Sequence, residues 1–194
     1  MIEQICKKYN IENYTINEDG SIDVNGNVDL SSRLLKRLPL LFNRVSGFFD
    51  CSDNELTTLE GSPKYVGSDF NCTYNKLTSL KYGPEYVGED FLCSNNQLIS
   101  LEGSPEYVGI NFYCNETGIY DLKGISYEID GFLFCTDNPI STIINSAGID
   151  LIRSLNSYSV IKNRTISLKR LKYVAETFGL KINLEDIEKY YKIV

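Results

Sequence analysis

The 194-residue chain contains no histidine. That absence removes every Ser-His-Asp and Cys-His arrangement for nucleophilic catalysis, and every imidazole metal site. Long apolar runs are missing too: no stretch approaches the ~20 consecutive apolar residues that span a bilayer. No charged-then-apolar leader opens the sequence; "MIEQICKKYNIENY" reads instead as a short amphipathic helix. Basic charge is scarce. Against 19 Lys and Arg stand 26 Asp and Glu, a net −7, whereas binding to nucleic acid needs the opposite excess to displace counterions. The deficit is uneven, because residues 1–145 carry 10 basic and 21 acidic groups while residues 146–194 carry 9 and 5. That change of sign marks a boundary near Ser146. Six cysteines without an export signal point to a reducing compartment, so a cytoplasmic location is expected.

What is present is a strict period. Cys51, Cys72, Cys93, Cys114 and Cys135 follow one another at steps of 21 residues. Two positions before each stands Phe49, Phe70, Phe91, Phe112 or Leu133, and six before stands Val45, Val66, Val87, Val108 or Ile129. Five after come Leu56, Leu77, Leu98, Ile119 and Ile140; eight after come Leu59, Leu80, Leu101, Leu122 and Ile143. Three after come Asn54, Asn75, Asn96, Thr117 and Asn138. One earlier turn fits if Leu30 takes the place of the cysteine, with Val24, Val28, Leu35 and Leu38 in register and Arg33 at the asparagine position. Self-similarity of this kind is the signature of a stacked solenoid, in which no single turn can bury its apolar face alone.

Read from Gly67, the unit is G-x-x-F-x-C-x-x-N-x-L-x-x-L. It resembles the leucine-rich-repeat pattern over about residues 22–143, with glycine at the first leucine. The short period and the returns "GSPKYVG", "YGPEYVG" and "GSPEYVG" resemble bacterial-type repeats such as those of secreted effectors, and also repeats in bacteriophage-encoded proteins. The resemblance implies a β-solenoid of about six 21-residue turns with parallel strands. Residues 1–21 would form an N-terminal helix-and-hairpin cap, 22–145 the solenoid, and 146–194 a helical C-terminal cap or appendage. Alternation on a strand agrees: Phe70 and Cys72 share the inward face while Asp69, Asn71 and Thr73 face outward. Asn75 ends the strand, where its amide can satisfy backbone groups of neighbouring turns. Pro84 suits the outer return because it has no N–H to orphan, and Gly88 permits the bend into the next strand.

The cysteine column invites four readings. Stacked turns lie ~4.8 Å apart, whereas a disulfide wants Cβ atoms at ~3.8 Å with a strongly twisted dihedral. A straight column cannot converge tetrahedrally on zinc, and a reactive thiol must be exposed beside a cation. What remains is a small, soft, buried filler beside the phenylalanines, with no metal and no cofactor implied. Cys6, on the N-terminal helix, also reads as packing.

Leucine-rich repeats bind partners through the sheet face, so the resemblance directs attention to outward strand positions. Early and middle turns are polar and acidic there, through Asp50, Asp53, Asp69 and Asp90. Late turns expose Leu92, Tyr113, Phe132 and Phe134, and a contiguous apolar patch needs a covering. Either a protein partner covers it or the C-terminal segment folds back over it. The expected partner-binding set is Leu92, Tyr113, Phe132 and Phe134 as anchors, Asp69 and Asp90 steering a basic partner, and Tyr74 at a strand exit. The expected partner is a host protein with a basic or mixed apolar surface, bound without catalysis. The alternative is a self-associating scaffold component. Tyr65, Tyr86 and Tyr107 form a further column on the outer return, most simply read as self-stacking. Acidic positions change from turn to turn, unlike calcium-binding repeats.

"NYTINEDGSIDVNGNVDL" alternates about Asp19-Gly20 as a hairpin would. Beyond Ile143 the period fails. "AGIDLIRSLNSY", "SLKRLKYVAETFG" and "NLEDIEKYYKIV" show helical spacing, with Ser167 and Asn183 as N-caps and Gly179 as a C-cap. Lys162, Arg164, Lys169, Arg170 and Lys172 cluster in this tail; a solvated helix face accounts for them better than a nucleic-acid site in so acidic a chain. Effector repeats can precede a cysteine-dependent ubiquitin ligase, but no cysteine lies beyond Cys135 and the tail is too short for that domain.

Overall fold

The computed structural model describes residues 1–194 except Tyr127, Asn145 and Asn163. Helix α1 (Ile2–Lys8) leads into a hairpin of β1 (Tyr14–Ile16) and β2 (Ile22–Val24). Each following turn of chain lays down two short strands: β3 (Val28–Asp29), β4 (Phe42–Val45), β5 (Phe49–Asp50), β6 (Tyr65–Val66), β7 (Phe70–Asn71), β8 (Tyr86–Val87), β9 (Phe91–Leu92), β10 (Tyr107–Val108), β11 (Phe112–Tyr113), β12 (Glu128–Ile129) and β13 (Phe132–Phe134). A 3-10 turn over Pro139–Thr142 precedes β14 (Ser146–Gly148), α2 (Ile149–Ser157), β15 (Ile161–Lys162), β16 (Thr165–Ile166), α3 (Leu168–Phe178), α4 (Leu184–Glu188) and β17 (Lys192–Ile193).

The strands sort into two long sheets meeting at a corner. One runs β1-β2-β4-β6-β8-β10-β12 and the other β14-β13-β11-β9-β7-β5-β3; every step is parallel except the terminal additions of β1 and β14. Val28, Phe49, Phe70, Phe91, Phe112 and Leu133 align in register, so the chain is a parallel β-solenoid that completes about five turns of 21 residues. The boundary expected after residue 145 falls on Asn145, outside the described residues.

Identical side chains therefore stack on one another. Phe49, Phe70 and Phe91 lie almost parallel, with ring centroids 5.6 and 5.4 Å apart. The valine, phenylalanine, cysteine and first leucine of every inner turn are fully buried. Each large apolar side chain so removed from water contributes roughly 1.5–3 kcal/mol. Burial pushes the five repeat thiols up, Cys135 to about 12, so they stay protonated and fill space.

The asparagine column closes the backbone ledger. Asn75 shares its Nδ2 hydrogens among the carbonyls of Cys51, Cys72 and Thr73 (3.0, 3.2 and 3.2 Å), and its Oδ1 accepts the Leu56 N–H at 2.9 Å. Asn54, Asn96 and Asn138 repeat the pattern. Thr117 does not: its single hydroxyl donor is shared between Cys114 O and Asn138 Oδ1.

Two local reasons differ from the sequence reading. Gly88 does sit at the bend, yet its backbone is not left-handed. Glycine is demanded by contact between turns, since a Cβ there would lie 2.2 Å from Gly67 O, and at Gly67 2.1 Å from Ser46 O. Left-handed backbone recurs instead at the strand exits Asp53, Tyr74, Asn95, Glu116 and Asp137, at φ 52–57°. There the chain leaves the sheet while each N–H of the first four still reaches the next turn, as Tyr74 does to Ser94 O at 3.2 Å. Pro63, Pro84 and Pro105 are buried rather than lying on an outer surface.

The hairpin about Asp19-Gly20 is present, and so are all three tail helices, with Gly179 left-handed at φ 66° and Asn183 Oδ1 capping the Glu185 N–H. Ser167 occupies the N-cap position of α3 without a side-chain hydrogen bond. Ala147 and Gly148, expected to begin a helix, belong to β14 instead. The tail also holds a small sheet, β15-β16-β17, that the helical spacing gave no sign of. It docks through Tyr191, whose hydroxyl donates to Tyr120 O at 2.5 Å, and Arg164, whose guanidinium lies 3.6 Å over the Tyr120 ring. One apolar core is continuous from Cys6 to Tyr191.

Candidate recognition face

The second sheet's outward positions are built by pairing register. Asp29, Asp50, Asn71, Leu92, Tyr113 and Phe134 oppose one another strand by strand, a single column passing from carboxylate through amide to aliphatic and aromatic. At its polar end Asn71 Nδ2 donates to Asp50 Oδ2 at 3.1 Å. At its apolar end the Tyr113 and Phe134 rings stack at 4.9 Å and 9°. Asn111 Nδ2 donates to the Tyr113 hydroxyl at 3.3 Å, giving that ring a polar handle. Leu92, Tyr113 and Phe134 are half-buried, each shielding the next, whereas Phe132 is 54% exposed.

Phe132 belongs to another column, with Phe48, Asp69, Asp90 and Asn111, beside the corner between the sheets. Here each acceptor holds the turn above. Asp69 Oδ1 accepts the Asp90 N–H (2.9 Å), Asp90 Oδ1 the Asn111 N–H (2.8 Å), and Asn111 Oδ1 the Phe132 N–H (3.1 Å). Asp69 and Asp90 thus carry a structural duty as well as charge. Partial burial raises the Asp69 carboxyl, and Glu89 and Asp90 add to it, against the Asp90 N–H, which lowers it. Tyr74 stands apart from the anchors, 61% exposed at a left-handed strand exit.

Among the described residues, the C-terminal segment does not cover Phe132. β14 adds to the sheet edge beside β13, pairing Phe132 with Gly148 and Phe134 with Ser146, and leaves Phe132 exposed. Phe178, at the end of α3, lines one cleft with Phe132 and is itself 36% exposed. Sequence reasoning placed Phe178 only on a helix; its position immediately before the Gly179 cap was the one available sign.

Other candidates resolve as structure. Tyr65, Tyr86 and Tyr107 stack at 4.7 and 4.9 Å, Arg44 lies 3.7 Å over the Tyr65 ring, and the Tyr107 hydroxyl donates to Asp130 at 2.6 Å. That hydrogen bond raises the Tyr107 hydroxyl to about 12. Both faces of the Tyr65 and Tyr86 rings are thereby taken up within the column. In the basic cluster, Arg164 is committed to Tyr120 and Arg170 donates to Ser159 O at 3.2 Å. Among the described residues, no group of three or more His, Cys, Asp or Glu side chains could hold a metal, and no helix is long and apolar enough to cross a membrane.

No protein-family model matches the chain, and comparison with curated proteins and with solved structures likewise finds no match.

Proposed function

We propose that the chain is a leucine-rich-repeat recognition module of six turns, counting the Leu30 level, that binds a protein partner stoichiometrically and performs no catalysis. The observation that carries this reading is the graded column from Asp29 to Phe134, with the stacked Tyr113 and Phe134 rings at its apolar end. Leu92, Tyr113, Phe132 and Phe134 act as anchors, and Asp69, Asp90 and Tyr74 form the polar surroundings. Interfaces concentrate their energy in buried aromatic anchors with a polar rim, and rigid strands lose little ordering entropy on binding. The partner's complementary surface is basic or mixed apolar. By resemblance of the repeats, the chain is phage-encoded and acts on a host protein in the cytoplasm.

Capture from host lysate, repeated with Tyr113→Ala and Phe134→Ala, tests this. Loss of the captured partner in both variants supports the face, and undiminished capture overturns it. Self-association is the second reading, favoured by β3 and β12, which among the described residues each end a long sheet with no further strand paired to them. Light scattering after size exclusion separates the two, because a monomer at all concentrations removes the scaffold reading.

A further inference from the structure

The corner between the two sheets is built the same way in every turn but the first. Each corner N–H donates to the turn before it: Gly47 to Gly26 O (2.9 Å), Ser68 to Gly47 O (3.2 Å), Glu89 to Ser68 O (3.2 Å), Ile110 to Glu89 O (3.0 Å) and Gly131 to Ile110 O (2.7 Å). Gly26 holds the equivalent place at the first level, where the hairpin rather than a full turn precedes it. The hairpin satisfies its neighbour, since the Asn25 N–H donates to Asn13 O at 2.9 Å. The Gly26 N–H meets no acceptor among the described residues.

Asn or Asp precedes Gly at three places in the chain: Asp19-Gly20, Asn25-Gly26 and Asp130-Gly131. In the first and last the glycine N–H is committed, from Gly20 to Asn17 O at 3.0 Å and from Gly131 to Ile110 O. At the middle pair it is free. Asn25 is exposed, and its Oδ1 accepts the Ser46 hydroxyl at 3.1 Å, which draws electron density from Cγ. Its Nδ2 holds no partner among the described residues, whereas the ladder asparagine Asn75 spreads its Nδ2 over three carbonyls. Nothing lies within 4 Å of the place a Gly26 Cβ would take, so that side of the glycine is open. A polarised amide carbon and an unbonded nitrogen thus stand side by side.

We infer that Asn25 is a site of self-modification. The Gly26 nitrogen loses its proton and attacks Asn25 Cγ; the N–Cγ bond forms, the Cγ–Nδ2 bond breaks, and ammonia leaves with that proton. Water then opens the five-membered imide at either carbonyl, giving aspartate or isoaspartate. In isoaspartate the main chain runs through Cβ and Cγ and is longer by a methylene. The lengthening falls where the Ser46 and Gly47 N–H groups hold the second level to the first, on Val24 O at 3.0 Å and Gly26 O at 2.9 Å. An in-register stack has no slack for it, so the first level parts from the second and the cap of α1 and hairpin loosens. The reaction runs one way, which makes it a timer set on the N-terminal cap. It lies at the opposite end of the solenoid from the Tyr113–Phe134 stack and does not depend on it.

Incubation of the folded full chain at mildly alkaline pH tests the inference, read by peptide mapping and by methyl transfer from S-adenosylmethionine with an isoaspartyl methyltransferase as probe. Asn25 should convert ahead of every other asparagine, faster as pH rises, and Asn25→Gln should remove the signal. Thiol alkylation then reads the cap. Cys6, 1% exposed, should label about tenfold faster in the isoaspartate fraction, as expected for the loss of one or two corner hydrogen bonds, while Cys72 does not change. Asn25→Asp, which adds the charge without the longer main chain, should label like fresh protein. The inference is overturned if Asn25 stays intact in the folded chain while the urea-unfolded chain converts, or if other asparagines convert as fast. It is also overturned if the isoaspartate form labels Cys6 no faster, or if Asn25→Asp labels it equally fast.

Discussion

The turns around Cys72 and Cys93 and the last turn, around Cys135, follow one template with different fidelity. The middle turns satisfy every column. Phenylalanine stacks on phenylalanine, each asparagine makes its full set of bonds, and a buried proline sits in each return. Toward the end the template loosens: Thr117 replaces asparagine, Ser126 stands where Pro63, Pro84 and Pro105 stand earlier, and Leu133 replaces phenylalanine. Ser126 Oγ is buried and finds no partner among the described residues, as does Ser62 Oγ in an earlier return, so the proline replacement rather than the unpaired hydroxyl distinguishes the last turn. The exposed Phe132, the stacked Tyr113 and Phe134 and the cleft beside Phe132 all gather here. Where local rules are broken, function is the usual reason, and in this chain the departures and the aromatic anchors coincide.

That contrast can be broken by mutation, and the largest effect belongs to the middle. Asn75→Ala strands several buried backbone groups at once, so chemical denaturation should show a loss of about 3 kcal/mol or more, against about 1 kcal/mol for Thr117→Ala. Equal losses would mean that the asparagine ladder is not what holds the turns. Next, Gly88→Ala drives a Cβ into Gly67 O and should cost about 1–3 kcal/mol. Gly148→Ala, whose added Cβ meets nothing closer than 4.0 Å, should cost far less in the same melt.

Restoring the template should strengthen the last turn. Thr117→Asn, which supplies the missing amide, and Ser126→Ala, which removes a buried unpaired hydroxyl, should each raise stability by about 1 kcal/mol, read as a higher denaturation midpoint. The smallest change is expected at the left-handed strand exit. Glu116→Asn puts a residue tolerant of φ 53° where a glutamate now sits and should gain about 0.5–1 kcal/mol without altering capture of the partner.

The period, the inward columns and the bonding role of asparagine were all legible in the sequence, because in-register stacking turns a 21-residue repeat directly into contact. Even the outward positions of Leu92 and Tyr113 follow from alternation about Cys93 and Cys114. What could not be read is how the ends close. β14 and the β15-β16-β17 sheet form by pairing strands of two or three residues, too short to carry a local pattern. The Gly88 requirement was visible as a column but not its cause, since a Cβ clash with the neighbouring turn is a distance between chains of residues 21 apart. That Phe178 lines a cleft with Phe132 was not legible either, because its place before the Gly179 cap marks a helix end and helix spacing does not say which strand that end faces.

The whole account rests on equivalent side chains lying above one another, firmly in the middle and more loosely at the end. Thiol labelling of single-cysteine variants under native conditions measures this directly. Cys72 and Cys93 should label only at the rate of global unfolding, and Cys135 faster, through opening of the last turn. If Cys72 labels as fast as an exposed thiol, or faster than Cys135, the stacked solenoid and the recognition face built on it are both wrong.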